Sequence, residues 1–344
     1  MMEKYLILKG CAGLGNRLIT LMKAIKYSQK NNRIIYVDWA DGMFGEQGDN
    51  VFFKYFNLKN IKHITSSSIL KEIYIQGGST FPSKMQLSDL DTPVIRTFYA
   101  LTPNIARNTI YKVLMTQIFK EKWSYFVGLQ SWQRTNYKHH YYWNAIKNIN
   151  DGNNFPLGSA LTSKHKEDLV FFADFRPLVN IDNLFSYLEL KPEIQSKISS
   201  FAEKYNIKEA IGVHIRYTDK KPKRKLNKLI QKLDKILSKH PEQKIFLCSD
   251  NIDIINEFKK KYKNNIIQTE KYLPETNNVG IHIYAAKNLP RNIKEQMMEE
   301  SLMDMWLLSM TKLLFWQGNS SFSYISKYIK NDPKTTINWM GLIR

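Results

Sequence analysis

Between Ala210 and Gln268 the chain runs strand, helix, strand, helix, strand. Apolar stretches at Ala210–Ile215, Lys244–Cys248 and Asn265–Gln268 are separated by helix-length segments, Leu226–Ser238 and Ile252–Tyr262. Short apolar runs with no alternating polar face belong to strands covered on both sides, and strands joined by helices lie parallel. The pattern therefore predicts an open α/β sheet, which binds ligands at the carboxyl ends of its strands. One such end is Ile211-Gly-Val-His-Ile-Arg-Tyr-Thr-Asp-Lys220, a buried strand that pushes His214, Arg216 and Asp219 into a polar mouth. A basic segment, Lys220–Lys228, follows at once. A guanidinium held on a strand end is placed to grip two oxygens of a phosphate or carboxylate. Arg216 is thus the candidate anchor for an anionic donor. The plainer reading makes His214 a core histidine and Arg216 a surface charge beside Asp219.

The amino-terminal half opens in a similar way. Tyr5–Leu8 is a short strand, Gly10-Cys-Ala-Gly-Leu-Gly-Asn-Arg17 a glycine-rich turn, Leu18–Gln29 a helix with one apolar face, and Arg33–Val37 the next strand. Asp38 mimics the acidic residue of a dinucleotide fold, but the glycines fall as Gly-x-x-Gly-x-Gly and not Gly-x-Gly-x-x-Gly, which argues against nicotinamide or flavin. Glycines still admit a ligand close to the backbone, and the following helix start attracts negative charge. Asn16 and Arg17 would meet phosphates or an acceptor, unless the segment is only a tight turn with Arg17 in solvent. In Asp38-Trp-Ala-Asp41-Gly-Met-Phe-Gly-Glu46, three carboxylates lie among two aromatics, a composition that suits a stacked, deprotonated sugar hydroxyl and equally an exposed turn.

Further on, Val51–Leu58 reads as a packed aromatic helix and Ile61–Ile64 as a strand. Asp89-Leu-Asp91 is formally a metal-binding Asp-x-Asp, but Pro93 and the lack of a leading strand favour a turn, so no metal site is expected. Residues 104–123 form an amphipathic helix that could cover a core or rest on an anionic membrane surface. Phe126–Gln130 is a strand, and 131–143 is a loop dense in aromatics and cations. That loop is suited to sugars or single-stranded bases. One such patch without a recognisable binding module argues against nucleic acid as a partner.

With 344 residues and 43% apolar content the chain can fill two cores. The boundary is expected near Arg176–Ser199, giving domains 1–185 and 186–344. A net charge of +20 favours phosphate-bearing partners: a nucleotide sugar, a membrane surface or nucleic acid. Two cysteines, Cys11 and Cys248, make no disulfide framework, and no apolar run is long enough to span a bilayer. The expectation is a soluble, cytoplasmic protein, at most peripheral at the inner membrane.

His-x-Arg-x-x-Asp-Lys after Gly-Val at 212–220 resembles the first motif of the GDP-fucose fucosyltransferase superfamily, which includes the α-1,2-, nodulation-type α-1,6- and protein O-fucosyltransferases. Gly-Leu-Gly-Asn-Arg-Leu at 13–18 resembles its amino-terminal loop. Ser249-Asp250 resembles its second donor motif, where a carboxylate can accept the N–H edge of guanine, although a helix N-cap needs the same residue types. The run from Met303 to Ile329, with Asp304, Leu308-Ser309 and Asn319-Ser-Ser-Phe-Ser323, resembles the third.

The resemblance implies a GT-B fold, two Rossmann-like domains facing across a cleft, with the donor on the second and the acceptor mainly on the first. It implies GDP-β-L-fucose as donor and inverting transfer to a sugar hydroxyl of a glycan acceptor. It implies no cofactor, and no metal is expected to neutralise the leaving diphosphate. Asn16, Arg17, His214, Arg216, Asp219, Ser249, Asp250, Asp304, Asn319, Ser320, Ser321 and Phe322 would line the donor site, with Arg216 and His214 serving the departing nucleotide. Several members carry an acidic residue soon after the first motif, but this chain has Lys-Pro-Lys-Arg-Lys at 221–225. A base must then come from elsewhere, and Asp41, with Asp38 and Glu46, is the candidate. Class and charge point to bacterial surface polysaccharide synthesis. The alternatives are another nucleotide sugar on the same fold, or a basic nucleic-acid-binding protein.

Overall fold

The computed structural model describes residues 3–10, 13–46, 48–81, 87, 164–172, 181, 183–219, 221–274, 281, 284–285 and 289–342. The expected Asp-x-Asp turn, the 104–123 helix, the 126–130 strand and the aromatic loop at 131–143 lie outside them. Two units are present, Met1–Glu189 and Leu190–Arg344.

In the first unit, β1 (Tyr5–Lys9) is wholly buried and is followed by α1 (Leu14–Asn31) and β2 (Ile34–Asp38). α1 begins four residues before the expected Leu18, because Leu14 is itself buried and extends the apolar face; Gly15, Asn16 and Arg17 thus form its first turn and not part of a glycine-rich loop. α1 ends where Asn32 adopts the left-handed conformation at φ 50°, a turn that asparagine tolerates. The expected helix at Val51–Leu58 is only partly formed. A single turn, α2 (Phe52–Tyr55), gives way to β3 (Phe56–Leu58), because Phe56 packs against both Trp39 and Phe52, which also touch each other, and this draws the chain out straight. After β4 (His63–Ile64), α3 (Ser68–Ile75) and β5 (Thr80–Phe81) comes β6 (Leu169–Phe172), a strand that sequence reading missed. The sheet runs β4-β2-β1-β6-β5, all parallel. Tyr5, Ile7, Tyr36, Leu70, Leu169 and Phe171 form one core layer.

At β7 (Leu188–Leu190) the chain passes from one unit to the next. The second unit contains α4 (Pro192–Lys204), β8 (Ile211–Ile215), α5 (Lys223–Leu237), β9 (Ile245–Ser249), α6 (Ile252–Tyr262), β10 (Ile266–Ile267), α7 (Arg291–Met310), β11 (Leu313–Trp316), α8 (Ser321–Lys330) and β12 (Thr336–Asn338). Its sheet runs β10-β9-β8-β11-β12, again all parallel. Every residue of β8 and β9 is buried, the polar His214 and Ser249 included, as strands covered on both faces require. α7 begins at Arg291, well before the run that resembles the third motif, since Met297 and Met298 extend its buried face. Among the described residues no helix is long and apolar enough to cross a membrane.

Candidate functional site

The strand order of the second unit reverses beside β8. The chain adds β9 and β10 on one side, then returns to place β11 on the other. Between β8 and β11 is therefore the topological switch point, where open sheets leave a crevice at their carboxyl ends. The last paired residues are Val213 and Phe315; beyond them the two strands part, while β8 continues along β9 to Ile215 and Ser249.

Backbone groups left at such a point still need partners. Trp339 donates its indole N–H to the His214 carbonyl at 3.0 Å. Gln317, fully buried, accepts the Arg216 N–H at 2.7 Å and donates to the Arg216 carbonyl at 3.3 Å. Asp250 then takes the N–H of Tyr217 at 2.6 Å and of Thr218 at 3.3 Å, with the Thr218 hydroxyl on its second oxygen at 2.6 Å. Burial raises the Asp250 carboxyl above its usual range, against the opposing pull of the Thr218 and Tyr217 hydrogen bonds. Asp250 thus clamps the turn after β8. Beside it Ser249 is buried and receives the Asn251 N–H, and Asn251 is the residue that caps α6, through Ile254 at 3.0 Å.

Arg216 lies partly exposed at this pinned end. Its Nε and Nη2 donate to the two carboxylate oxygens of Asp219 at 2.7 and 2.6 Å. That contact occupies one edge of the fork; the other keeps its N–H groups for an anion, with no acceptor among the described residues. His214 is 6% exposed, and its Nδ1 is buried with no hydrogen-bond partner there. Its ring stacks on Phe322, centroids 5.2 Å apart and planes 22° off parallel. Burial, aided by the charges of Arg216 and Lys271, pulls the imidazole from 6.5 to about 3, so it is neutral near pH 7.

Across the crevice the chain leaves β11 through Gln317, Gly318 and Asn319 into α8. Ser320 stands at the N-cap in extended conformation, yet its hydroxyl caps nothing and is buried with no partner among the described residues. The first turn of α8, Ser321-Phe322-Ser323, holds no acidic side chain. Free N–H groups at a helix start are an anion site in waiting. Gln317 also donates to Asn319 Oδ1 at 2.8 Å, and its own N–H reaches the Ser323 hydroxyl at 3.1 Å, so this loop is braced from within.

Beneath lies a buried charge pair that sequence reading missed by half. Asp304 accepts the Thr269 hydroxyl at 2.6 Å and forms an ion pair with Lys271, each side chain 8% exposed. Burial alone would lower the Lys271 ammonium, but Asp304 and Cys248 outweigh it and its pKa rises. The Cys248 thiol is driven well up by burial and then by Asp304. Lys271 could not be singled out because it follows β10 in a segment whose polar residues carry no motif.

In the first unit the switch point falls between β1 and β6, beside the start of α1. Arg17 does not face solvent: it is 1% exposed, paired with Asp41 at 2.5 Å, and set over Trp39 and Phe44 with 5.2 and 4.9 Å to the ring centroids. Asn16 is half-buried, and its carbonyl takes the Thr20 hydroxyl at 2.8 Å. The loop at 38–46 turns inward, burying Trp39, Met43 and Phe44, and leaves only Glu46 exposed. Asp38 is tied to Lys9 and to the Ala40 N–H. Among the described residues no three His, Cys, Asp or Glu side chains gather as a metal would require.

No protein-family model matches the chain, and no curated protein does. Among solved structures it is similar to a NodZ alpha-1,6-fucosyltransferase soaked with GDP-fucose, at 15% identity over 95% of this chain and 93% of that one, with a TM-score of 0.56. It is similar to fucosyltransferase NodZ from Bradyrhizobium, at 15% identity, 95% and 93% coverage and a TM-score of 0.55. POFUT1 in complex with GDP matches at 14% identity over 99% of both chains, with a TM-score of 0.52. At these identities the likeness is one of fold: the chain has the parallel-sheet α/β architecture of these GT-B-like structures.

Proposed function

We propose that the chain is a fucosyltransferase that moves L-fucose from GDP-β-L-fucose to a sugar hydroxyl of a glycan acceptor, with inversion and without a metal. The observation that carries this is the set of groups at the β8–β11 switch point: the open edge of the Arg216 fork, the unpartnered His214 Nδ1, the unpartnered Ser320 hydroxyl and the start of α8. All are donors or dipoles suited to a diphosphate. The fold likeness to proteins crystallised with GDP-fucose and with GDP supports the choice of nucleotide.

In the reaction the bond between fucose C1 and the β-phosphate oxygen breaks, and the acceptor hydroxyl oxygen bonds to C1 from the opposite face. Negative charge grows on the departing GDP. Preorganised donors aimed at that charge stabilise the transition state more than the ground state. Arg216 supplies a full charge, the α8 N–H groups and Ser320 supply dipoles, and neutral His214 offers a hydrogen bond against the face of Phe322. Asp304, Ser321 and Asn319 would belong to the wall of the nucleotide pocket, and Asp219 would hold Arg216. Ser249 and Asp250 contribute by shaping the turn rather than by direct contact.

For the acceptor proton, Asp41 remains the proposed base, with Asp38 and Glu46 as the other carboxylates of its loop. Unimpaired kinetics in all three single alanine variants would retire that role. Acceptors in bacterial surface polysaccharide synthesis, a cytoplasmic location and peripheral contact with an anionic membrane are consistent with the basic charge of the chain.

The test is a thermal-shift panel of GDP, UDP, CMP and ADP, with and without EDTA, followed by GDP-fucose hydrolysis. A ligand that binds only the folded state raises the midpoint. Stabilisation by GDP alone, indifferent to EDTA, is expected. A response to UDP instead would keep the fold and discard fucose, and no response to any nucleotide would overturn the transferase reading.

A further inference from the structure

Gln317 lies inside the run that resembles the third motif but is given no role by that resemblance, and its carboxamide is spent entirely on the backbone of Arg216 and on Asn319. Where β8 and β11 part, a peptide group of β11 would ordinarily have paired with the end of β8. The Gln317 side chain, lying across the gap, plays that part: one oxygen accepts the Arg216 N–H and one nitrogen donates to the Arg216 carbonyl. The main chain of Gln317 is itself fixed, its N–H on the Ser323 hydroxyl and its carbonyl accepting from Ser320 at 2.9 Å.

We propose that Gln317 is a positioning residue for Arg216, tying the backbone of the guanidinium-bearing residue to the loop that opens α8. Arg216 is then anchored at both ends, by Gln317 at the main chain and by Asp219 at the guanidinium. A four-bond side chain held at both ends presents its open edge at one angle. Gln317 thus bridges the two halves of the anion site: its carboxamide holds Arg216 and Asn319, and its main chain holds the Ser320 N–H and the Ser323 hydroxyl at the start of α8. An arginine displaced by about 1 Å can cost roughly 10²-fold in rate.

This inference rests on the donor-site reading above, so its test has one arm that needs no donor. Gln317→Leu keeps the volume but leaves the Arg216 N–H and carbonyl unanswered. In wild type the Arg216 Nε–H, bonded to Asp219, should exchange slowly and give a sharp nitrogen-detected resonance. In Gln317→Leu it should exchange fast. An unchanged Nε–H resonance in a folded variant would overturn the inference even if GDP never binds.

The second arm uses Gln317→Glu. As a carboxylate it accepts from the Arg216 N–H but repels the Arg216 carbonyl; once protonated it regains a donor. A roughly ten- to hundredfold loss of kcat at pH 8 with KM for the donor little changed is expected. Activity relative to wild type should climb as pH falls toward 5.5, measured at temperatures where circular dichroism shows the variant fully folded. Wild-type kcat at every pH, or a loss that follows the unfolded fraction, would overturn the positioning role. A wild-type enzyme that ignores GDP would instead sink the donor reading and leave the first arm to decide.

Discussion

Replacing Arg216 by alanine tests the centre of the mechanism. The guanidinium gives Nε and one Nη2 hydrogen to Asp219, which leaves two N–H groups on the open edge for two diphosphate oxygens. A hydrogen bond to a charged group contributes about 1.5–3 kcal/mol. Loss of two in the transition state corresponds to about 3–6 kcal/mol, or roughly 10²- to 10⁴-fold in kcat/KM at about 1.36 kcal/mol per decade. Alanine also removes the guanidinium that balances the Asp219 charge beside an anionic ligand. Arg216→Ala/Asp219→Ala should therefore recover part of the loss. Folding should barely change, because both side chains are about a fifth exposed and such pairs contribute only about 0–1 kcal/mol. The assay is GDP release from GDP-fucose at saturating and limiting donor, with unfolding followed in parallel. Near-wild-type turnover in Arg216→Ala would refute the reasoning; so would a loss that mirrors a collapse in stability.

Other perturbations reach the parts around it. His214 is held near pKa 3 in the fold against 6.5 when solvated, so between those values the unfolded chain binds the proton and the folded one does not. Stability at this residue is present above pH 6.5 and drains away as pH falls toward 3, with a slope of up to about 1.4 kcal/mol per pH unit. Urea titrations at pH 7 and 5 should show that slope in wild type and a flatter one in His214→Gln; identical slopes would contradict it. Lys271→Met leaves Asp304 buried and uncompensated and should cost about 3–5 kcal/mol in urea unfolding, whereas Lys271→Met/Asp304→Leu should regain most of it. A methyl group at Gly10 would sit 2.1 Å from Nη1 of Arg17, so Gly10→Ala should push Arg17 off Asp41. Overpacking of this kind costs about 1–3 kcal/mol, read as a lowered urea midpoint, and a neutral result would mean that Arg17 has room to shift.

Much of the frame was legible in the chain. At Ile211–Ile215, polar only at His214, and at the four apolar residues Ile245–Cys248, the pattern leaves no amphipathic alternative, so the strands and their burial follow directly. The Asn319-Ser-Ser-Phe-Ser323 run was equally plain. β6 was not: Leu-Val-Phe-Phe at 169–172 is only four residues, and what makes it a central strand is its pairing with β1, a contact made across more than 160 positions. Phe52–Leu58 carries a helical pattern that aromatic packing around Trp39 overrides after one turn. Asp250 illustrates the limit of a motif. Its place after β9 was foreseen, but its direction toward Tyr217 and Thr218 depends on how closely β8 lies alongside.

The order of residues alone determined that the carboxyl ends of certain strands would carry His214, Arg216 and the serine loop, because periodicity and residue type are local properties. Which of these ends meet was decided by the sheet order. By returning β11 to the free side of β8, the fold opens a crevice there and leaves His214, Arg216 and Ser320 around it. The same return brings Gln317 and Trp339 to the backbone groups that the parting strands expose, 101 and 125 positions away. Buried peptide groups must find partners, and only the tertiary structure says which side chains those are.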